Sequence, residues 1–492
     1  MQLPVLHSRF RDQIEFDGGA DRKYQPLPAW FRRLPSERVA VFNMVGEHVV
    51  IPFSDFEEFI RGRLPKGNTA YQELKSHHLL LDSTGESAID LLALKYREKH
   101  ASISRFTGLH IFVVTLRCDH SCPYCQVSRV SSDRGAFDMS AETADRALDL
   151  ALKSPNPNIK IEFQGGESLL NFEIIQRVVL KATAAAPALG KTIDFVIATN
   201  LSPLTDPILE FCAEHRIALS TSLDGPQDLH NSNRPRPGGD SWERAVEGIR
   251  RARERLGFDQ VSALMTTTRA SLGRGRDIID AYVGFGFPSI SLRWLSPFGF
   301  ANRSSKKIGY PLQEFFEFYE QGLRYIFELN RNGIPFREDM AALIARRMLT
   351  PFDTGYVDLM SPAGIGTAAI AYNYDGKIYA SDESRMLAEN NDFTFQLGDV
   401  HTSTYREVFN SDHLRSIINK TMVEGTPMCH ECAYHRVCGT DPVVHHATQG
   451  DMIGTRPTSV FCLRQLFLND LIVRILADEP SNAKLLEDWA NQ

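Results

Sequence analysis

Residues 109–125, LHIFVVTLRCDHSCPYC, decide the fold of the middle of the chain. They begin with an apolar run that has the length of a buried strand. Cys118, Cys122 and Cys125 follow with the spacing C-x3-C-x2-C, where such a strand would end. Three thiolates on one loop can hold a [4Fe–4S] cluster and leave one iron open for another ligand. The stretch therefore predicts an iron–sulfur site at the end of a strand.

The alternative for these cysteines is a structural zinc site in which His120 is the fourth ligand. Structural zinc sites usually draw two pairs of ligands from separate segments. Four ligands within one short loop would be cramped, and this favours the cluster.

After this loop, strand-like runs alternate with amphipathic helical segments such as 140–152, 172–185 and 241–256. The predicted strands are Leu109–Leu116, Ile159–Phe163, Thr192–Ala198, Ile217–Leu223, Val261–Thr266 and Ser289–Trp294. Such alternation predicts an α/β fold with a parallel sheet, either open or curled into a barrel. The ligand site of either form lies at the carboxyl ends of the strands.

Changes of composition divide the chain into four predicted units. In the first, Arg38–Met44 and His48–Ile51 predict a hairpin, and a helix follows from Ser54 with Glu57 as its capping-box partner. This outline is that of a winged-helix-like module. The units are an N-terminal hairpin and helix module at 1–104, the α/β unit at 105–310, a helical bridge at 311–350 and a cysteine-rich domain at 351–492.

Composition and charge limit the class of protein. The chain has 492 residues, of which 43% are apolar and 23% charged, and its net charge is −7. These values are typical of a globular protein, and the acidity argues against a nucleic-acid partner. The sequence has no run long enough to cross a bilayer and no secretory signal, so we expect no membrane partner. We expect a cytoplasmic protein in which clustered cysteines bind metal.

Four further cysteines lie near the C-terminus: Cys429, Cys432, Cys438 and Cys462. Four thiolates complete the ligand set of a second [4Fe–4S] cluster, as suits an electron-transfer or structural centre. Their spacing fits a zinc site equally well, so the residues alone leave the metal open. The eighth cysteine, Cys212, lies in an apolar helical segment and is predicted to be a core residue.

The C-x3-C-P-Y-C sequence after the first strand of a βα repeat resembles the radical S-adenosylmethionine (SAM) superfamily. The resemblance implies a partial (β/α)6 barrel and a SAM-binding cluster on the first three cysteines. It continues at Gly165-Gly166-Glu167, where the family has a motif for the methionine amino group of SAM. The SAM contacts implied by the resemblance are Tyr124, Gly165, Gly166, Glu167, Ser222 and Arg234.

The C-terminal cysteines resemble those of the SPASM domain, an extension of radical SAM peptide maturases that holds auxiliary clusters. This resemblance favours an auxiliary [4Fe–4S] cluster over zinc. A full SPASM domain has two clusters, but Ser361–Gly364 and Tyr379–Ser381 occupy places where cysteines of the other would fall. In Asp375–Asp382, DGKIYASD, the last residue matches an aspartate that acts as a base in sulfatase-maturing relatives. Asp382 is therefore a candidate catalytic base, and a solvated turn residue is the alternative.

Over its whole length the chain most resembles the His-Xaa-Ser system radical SAM maturases (the B component). The resemblance implies an enzyme that cleaves SAM reductively and abstracts hydrogen from a ribosomally made peptide. The implied partners are a precursor peptide with a leader, a partner radical SAM maturase, and a reductant such as flavodoxin or ferredoxin. The alternatives are a radical SAM enzyme that acts on RNA or a small metabolite, and a non-catalytic iron–sulfur scaffold or redox sensor. Acidity and the SPASM-like domain count against the first, and the intact Gly-Gly-Glu motif counts against the second.

Overall fold

The computed structural model describes residues 22–35, 37–82, 86–127 and 133–492. The N-terminal strands are β1 (Gln25–Pro26), β2 (Trp30–Leu34), β3 (Arg38–Phe42), β4 (His48–Pro52) and β5 (Leu80–Leu81). β2, β3 and β4 form an antiparallel sheet in that order, and β1 pairs with β5. The predicted hairpin is present as β3 and β4, and β2 adds a strand that the sequence did not indicate.

The N-terminal helices are Phe53–Ile60, Thr69–Ser76, Glu86–Lys99 and Ala101–Arg105. The first begins at Phe53 with Pro52 as its N-cap, one residue before the predicted start. Ser54 therefore lies inside the first turn, and the predicted capping box with Glu57 is wrong.

The parallel strands of the central sheet are β6 (Leu109–Thr115), β7 (Asn158–Gly165), β8 (Thr192–Thr199), β9 (Ala218–Ser222) and β10 (Val261–Leu264). Each is hydrogen-bonded to the next, and the predicted α/β alternation is confirmed. The connecting helices include Ala141–Leu152, Phe172–Leu189, Asp206–Glu214, Gln227–Asn233, Ser241–Leu256 and Gly275–Gly284.

The sixth predicted strand forms only at Ser289–Ile290 (β11), where it pairs with β12 (Arg337–Glu338) instead of β10. The buried Glu338 carboxylate explains this pairing, because it accepts a hydrogen bond from the Leu292 N–H at 3.1 Å. The chain still returns to the end of β10, where the Thr267 N–H donates to the Arg293 carbonyl at 3.2 Å.

The C-terminal region completes the sheet on its other side. β13 (Ala369–Tyr372) pairs in parallel with β6, and β14 (Lys377–Tyr379) and β15 (Gln396–Asp399) add antiparallel strands. One eight-stranded sheet, with the order β10-β9-β8-β7-β6-β13-β14-β15, therefore crosses the predicted boundary at residue 351.

The remaining helices surround this extended sheet. Leu312–Arg331 and Asp339–Leu349 occupy the predicted bridge. The C-terminal helices are Asp382–Ala388, Tyr405–Phe409, Asp412–Lys420, Pro442–Gln449, Val460–Asp478 and Pro480–Ala490. Short helices lie at Arg134–Phe137, Phe300–Arg303 and Ser305–Ile308. No helix within the described ranges is long and apolar enough to span a membrane.

Strand β3 joins the N-terminal module to the rest of the molecule. Val39 and Val41 face a local core with the module's own helices, whereas Ala40 and Phe42 belong to the large core of the sheet and C-terminal helices. Because successive side chains of a strand point to opposite faces, β3 is buried on both. Cys212 is fully buried in its helix, as predicted.

Candidate active site

The first three cysteines lie on the loop after β6, and each is half-buried. Burial raises the pKa of the Cys122 thiol to about 12 and raises that of Cys118 as well, because desolvation disfavours the thiolate. Arg117 anchors the start of the loop through two hydrogen bonds to Asp138, both at 2.7 Å. A thiolate at this depth needs a nearby positive charge, which the iron of a cluster would supply.

Gly165 and Gly166 bring the end of β7 against the end of β6. The Gly166 N–H donates to the Thr115 carbonyl at 2.9 Å. A Cβ atom on Gly165 would lie 2.1 Å from that same oxygen, and one on Gly166 would lie 2.3 Å from the Arg117 carbonyl oxygen. No side chain fits at such distances, so the closeness of the two strand ends requires this glycine pair.

Glu167 is fully buried and holds the ends of β7 and β8 together. Its Oε1 accepts from Thr199 Oγ1 at 2.6 Å and from the Leu169 N–H at 3.0 Å, and its Oε2 accepts from the Asn200 N–H at 2.7 Å. Burial raises the pKa of Glu167 to about 7, and these hydrogen bonds oppose the rise. Two carboxylate oxygens offer about four acceptor positions, so one remains for a ligand.

Tyr124 and Arg234 both donate hydrogen bonds to the carboxylate of Asp224. Arg234 donates to both oxygens of Asp224, at 2.9 and 3.1 Å, and the Tyr124 hydroxyl donates to Asp224 Oδ2 at 2.6 Å. The guanidinium also lies over the Tyr124 ring, 5.3 Å from its centroid. Tyr124 and Arg234 were predicted site residues, whereas Asp224 was not. An acidic residue soon after the end of β9 was the available signal.

A chain of hydrogen bonds links Asp224 to the cysteine loop. His230 Nδ1 accepts from the Asp224 N–H at 3.3 Å, so its Nε2 donates to Ser241 Oγ at 3.0 Å. Ser241 then donates to His120 Nε2 at 2.8 Å, and His120 Nδ1 contacts Asp119 at 2.8 Å. Burial lowers the pKa of His230 to about 4, which keeps its ring neutral at pH 7. This series of hydrogen bonds fixes the orientation of the His120 ring.

Ligand atoms of Cys118, Asp119 and His120 lie within 4.8 Å of one another, the one such group of three among the described residues. Both ring nitrogens of His120 are already hydrogen-bonded, and Asn200 Nδ2 donates to Asp119 at 2.9 Å. These contacts give no support to the zinc alternative, since a zinc ion would have to displace them. Ser222, another predicted SAM contact, is the last residue of β9 and is half-buried at the carboxyl edge of the sheet.

The four C-terminal cysteines converge from two segments. Cys429, Cys432 and Cys438 lie on the loop before helix Pro442–Gln449, and Cys462 lies in the first turn of helix Val460–Asp478. Burial raises the pKa values of Cys432, Cys438 and Cys462, and repulsion from neighbouring cysteines in this group raises each further. The four sulfur atoms are thus close enough to interact.

Within the described ranges, no three of these sulfur atoms lie within 4.8 Å of one another.

Hydrogen bonds occupy the places where the other SPASM cluster would have its ligands. Ser381 caps helix Asp382–Ala388 and accepts from the Ser384 N–H at 3.1 Å. Ser361 donates to Glu424 at 2.5 Å and accepts from the Val423 N–H at 3.1 Å. These serines are part of the local structure.

A cavity of about 120 Å³ is lined by segment 291–298 and by residues of the C-terminal region. Segment 291–298 forms one wall, and Leu295 within it packs with Tyr124 of the first cysteine loop. Val460 and Arg464, from the helix that carries Cys462, also line the cavity. The charged lining residues are Arg293, Asp358, Glu383, Asp441 and Arg464.

Asp382, the candidate base, directly precedes Glu383 of the cavity lining. Burial, and then repulsion from Asp382, raises the pKa of Glu383 well above its usual value. Burial and the nearby Asp441 raise the pKa of Asp358 to about 6. Carboxyl groups crowded in this way can hold protons near neutral pH.

Residues 112–275 match the model of the radical SAM superfamily. The matched segment begins in β6 and contains the three-cysteine loop, the Gly-Gly-Glu motif and the Asp224–Arg234 pair. This third of the chain is similar to the radical SAM superfamily. The predicted α/β radical SAM fold class is confirmed by this match and by the solved structures that the chain resembles.

The serine-type anaerobic sulfatase-maturating enzyme of Bacteroides thetaiotaomicron is 29% identical over 139 residues, which are 28% of this chain and 33% of that protein. The match to the structure of native anSMEcpe with bound AdoMet covers 76% of this chain and 99% of that chain, with a TM-score of 0.62 at 16% identity. The match to the structure of Streptococcus suis SuiB bound to precursor peptide SuiA covers 89% of this chain and 99% of that chain. Its TM-score is 0.53 at 14% identity. These structural likenesses show a shared fold. The chain spans 65%, 38% and 33% of three curated relatives, which is less than two thirds of their length.

Proposed function

We propose that this radical SAM protein is a maturase that modifies a ribosomally made peptide or protein. The observation that carries the proposal is a cavity lined by the helix of Cys462 and by segment 291–298, whose Leu295 packs with Tyr124 of the first cysteine loop. A substrate in this cavity would have parts of both cysteine regions near it. The His-Xaa-Ser type of substrate remains a finer prediction within this proposal.

The residues of the first site fit a SAM-binding cluster. Cys118, Cys122 and Cys125 are free thiols on one loop. The Arg234 cation opposes the effect of burial on Cys122. When bound, the cluster and SAM together supply hydrogen abstraction from an unreactive carbon. The remaining SAM contacts proposed here are Tyr124, Gly165, Gly166, Glu167, Ser222 and Arg234.

The protein's own residues position the reactants and handle protons. Asp224 holds Tyr124 and Arg234 in place for SAM. Asp382 would take a proton from the substrate, and its neighbour Glu383 adds a carboxyl group to the lining of the cavity. Cys429, Cys432, Cys438 and Cys462 would hold an auxiliary cluster, and such a group would supply electron transfer. A flavodoxin or ferredoxin as reductant, and a partner maturase, are proposed from the resemblance alone.

A peptide substrate is supported by the N-terminal sheet as well as by the peptide-bound SuiB structure. β2 and β4 are the edge strands of this sheet, and an extended peptide can add to such an edge. Phe31 on β2 is 56% exposed and packs against Phe56, with the ring centroids 4.8 Å apart. Trp30 of the same strand donates to the His430 carbonyl at 2.7 Å, next to Cys429. A peptide bound at β2 would lie close to the cysteine-rich domain.

Anaerobic reconstitution followed by an assay for SAM cleavage tests the proposal. We expect 5′-deoxyadenosine to be released upon reduction, and none from Cys122→Ala because an essential cluster ligand is lost. Cys212→Ala is the matched control, since this buried helical thiol belongs to neither cysteine group. If the iron-loaded protein releases no 5′-deoxyadenosine, the scaffold or redox-sensor alternative is favoured. If SAM is cleaved and no peptide is altered, the RNA or metabolite alternative gains support.

A further inference from the structure

Arg456 is a buried cation at the second cysteine site. Its side chain belongs to the short turn Arg456–Thr458, directly before the helix that carries Cys462, and the residue is 6% exposed. Its Nε donates to Cys429 Sγ at 3.0 Å. Its Nη1 lies 2.9 and 3.1 Å from the two ring nitrogens of His445. Its Nη2 is buried and has no hydrogen-bond partner within the described parts of the chain.

The hydrogen-bond partners of this guanidinium are a thiol and an imidazole, not a carboxylate. Arg234 near the first site differs, because both of its contacts to Asp224 involve a carboxylate oxygen. A buried charge without a counter-charge is strongly unfavourable. The four thiolates at this site would supply the counter-charge, and the unpartnered Nη2 would have an acceptor in a sulfur atom of the cluster.

Arg456 also connects the two segments that provide the ligands. It contacts Cys429 directly, and it contacts His445, whose Nε2 lies 2.8 Å from Ser459 Oγ. Ser459 Oγ accepts from the Cys462 N–H at 3.1 Å. The first and the last of the four ligands are thus joined by one chain of hydrogen bonds through the arginine.

We propose that Arg456 is a positioning residue that holds the auxiliary cluster in place and raises its reduction potential. The inference rests on the four-cysteine cluster of the proposed function. Four thiolates outweigh the positive charge of the inorganic core, and one-electron reduction makes the site still more negative. An adjacent buried cation with N–H···S contacts therefore stabilises the reduced form more than the oxidised form.

The test uses the full chain, reconstituted anaerobically, with Cys118, Cys122 and Cys125 replaced by Ala so that the auxiliary cluster alone gives a signal. The midpoint potential is measured by a redox titration monitored by electron paramagnetic resonance. Arg456→Gln should retain about four irons and lower the reduction equilibrium constant about tenfold, which corresponds to about 59 mV for one electron. Arg456→Lys, which keeps the charge but loses the planar fork, should show a smaller shift.

Arg415→Gln is the control, because it removes a cation in the same domain that is 55% exposed and ion-paired with Asp412 at 2.9 Å. We expect no change in its midpoint potential. An unchanged potential in Arg456→Gln with full iron would overturn this inference alone. If Arg456→Gln loses its iron, retention of iron with a lowered potential in Arg456→Lys supports the inference, and an unchanged potential there overturns it. Zinc instead of iron in the parent protein would overturn both the auxiliary cluster and this inference.

Discussion

The two cysteine regions differ in where they place their nearby cations. Around the first loop, Arg234 is paired with Asp224 and Arg117 with Asp138, so each cation has a carboxylate partner. At the second site, Arg456 contacts Cys429 instead. The cysteines of both regions are half-buried, so the regions differ in the partners of their cations and not in exposure. Under the proposed function, a cation without a carboxylate partner would suit the electron-transfer site at the second region.

In both regions a serine hydroxyl group hydrogen-bonds to a histidine ring, but the two serines connect different parts of the structure. Ser241 lies between His230 and His120 and connects the cysteine loop to the end of β9. Ser459 lies between His445 and the Cys462 N–H. The first arrangement ties one loop to the strand ends, and the second ties two distant segments to each other. The second site therefore depends more on the tertiary structure.

Among the changes that distinguish the two regions, loss of the proposed second cluster should have the largest effect. We expect Cys432→Ala to abolish formation of the modified peptide while 5′-deoxyadenosine is still released, because the first loop does not share its ligands. Iron should fall by about half, from about eight per chain. The measurements are iron content, 5′-deoxyadenosine by chromatography and peptide mass. Loss of SAM cleavage in this variant would show that the two sites are not separable, and full iron would show that the ligand assignment is wrong.

Local sequence patterns were sufficient to predict part of the fold and the position of the first cysteine loop. The spacing of Cys118, Cys122 and Cys125 and the alternation of apolar runs predicted the loop, its place after β6 and five strands of the sheet. The pairing of β13 with β6 could not be predicted in this way, because about 260 residues separate the two strands and periodicity carries no information on partners. The same holds for the sixth strand, whose pairing depends on the buried Glu338.

The site residues that the sequence missed act through tertiary contacts. Asp224 has the sequence context of an ordinary turn, and its role follows from contacts with Tyr124, 100 residues away, and with Arg234. Arg456 lies in a polar segment typical of an exposed loop, yet the structure buries it against Cys429, 27 residues away. Burial of a charged side chain follows from packing, which residue type and spacing do not encode.

Replacement of Asp224, the carboxylate partner of Arg234 in the first region, should have the next largest effect. Asp224→Asn keeps the side-chain volume and leaves Arg234, whose side chain is 12% exposed, without its counter-charge. Breaking such a buried pair costs about 3–5 kcal/mol of unfolding free energy. We expect a loss of that size in denaturant unfolding, together with weaker SAM binding. Asp228→Asn is the control, because Asp228 lies on the same segment with its side chain 72% exposed and paired with Arg274. Equal stability of the two variants would contradict the role of Asp224.

The smallest expected effect concerns the N-terminal sheet that lies beside the second region. Deletion of the whole module would be a poor test, because Trp30 and Arg32 contact His430 and Asp470 in the cysteine-rich domain. Phe31→Ser changes a 56% exposed side chain on the edge strand instead. Burial of a Phe side chain by a bound peptide is worth about 1.5–3 kcal/mol.

We therefore expect Phe31→Ser to weaken binding of the precursor peptide by about tenfold or more, since 1.4 kcal/mol corresponds to about tenfold. Iron content and SAM cleavage should be unchanged, because this ring packs against Phe56 of the N-terminal module. Phe258→Ser is the matched control, as that ring is 66% exposed and packs under Arg253 on the radical SAM domain. Fluorescence anisotropy with a labelled peptide measures both affinities. Equal affinity of the two variants would leave the N-terminal sheet as a structural support of the second region and remove its role in peptide recognition.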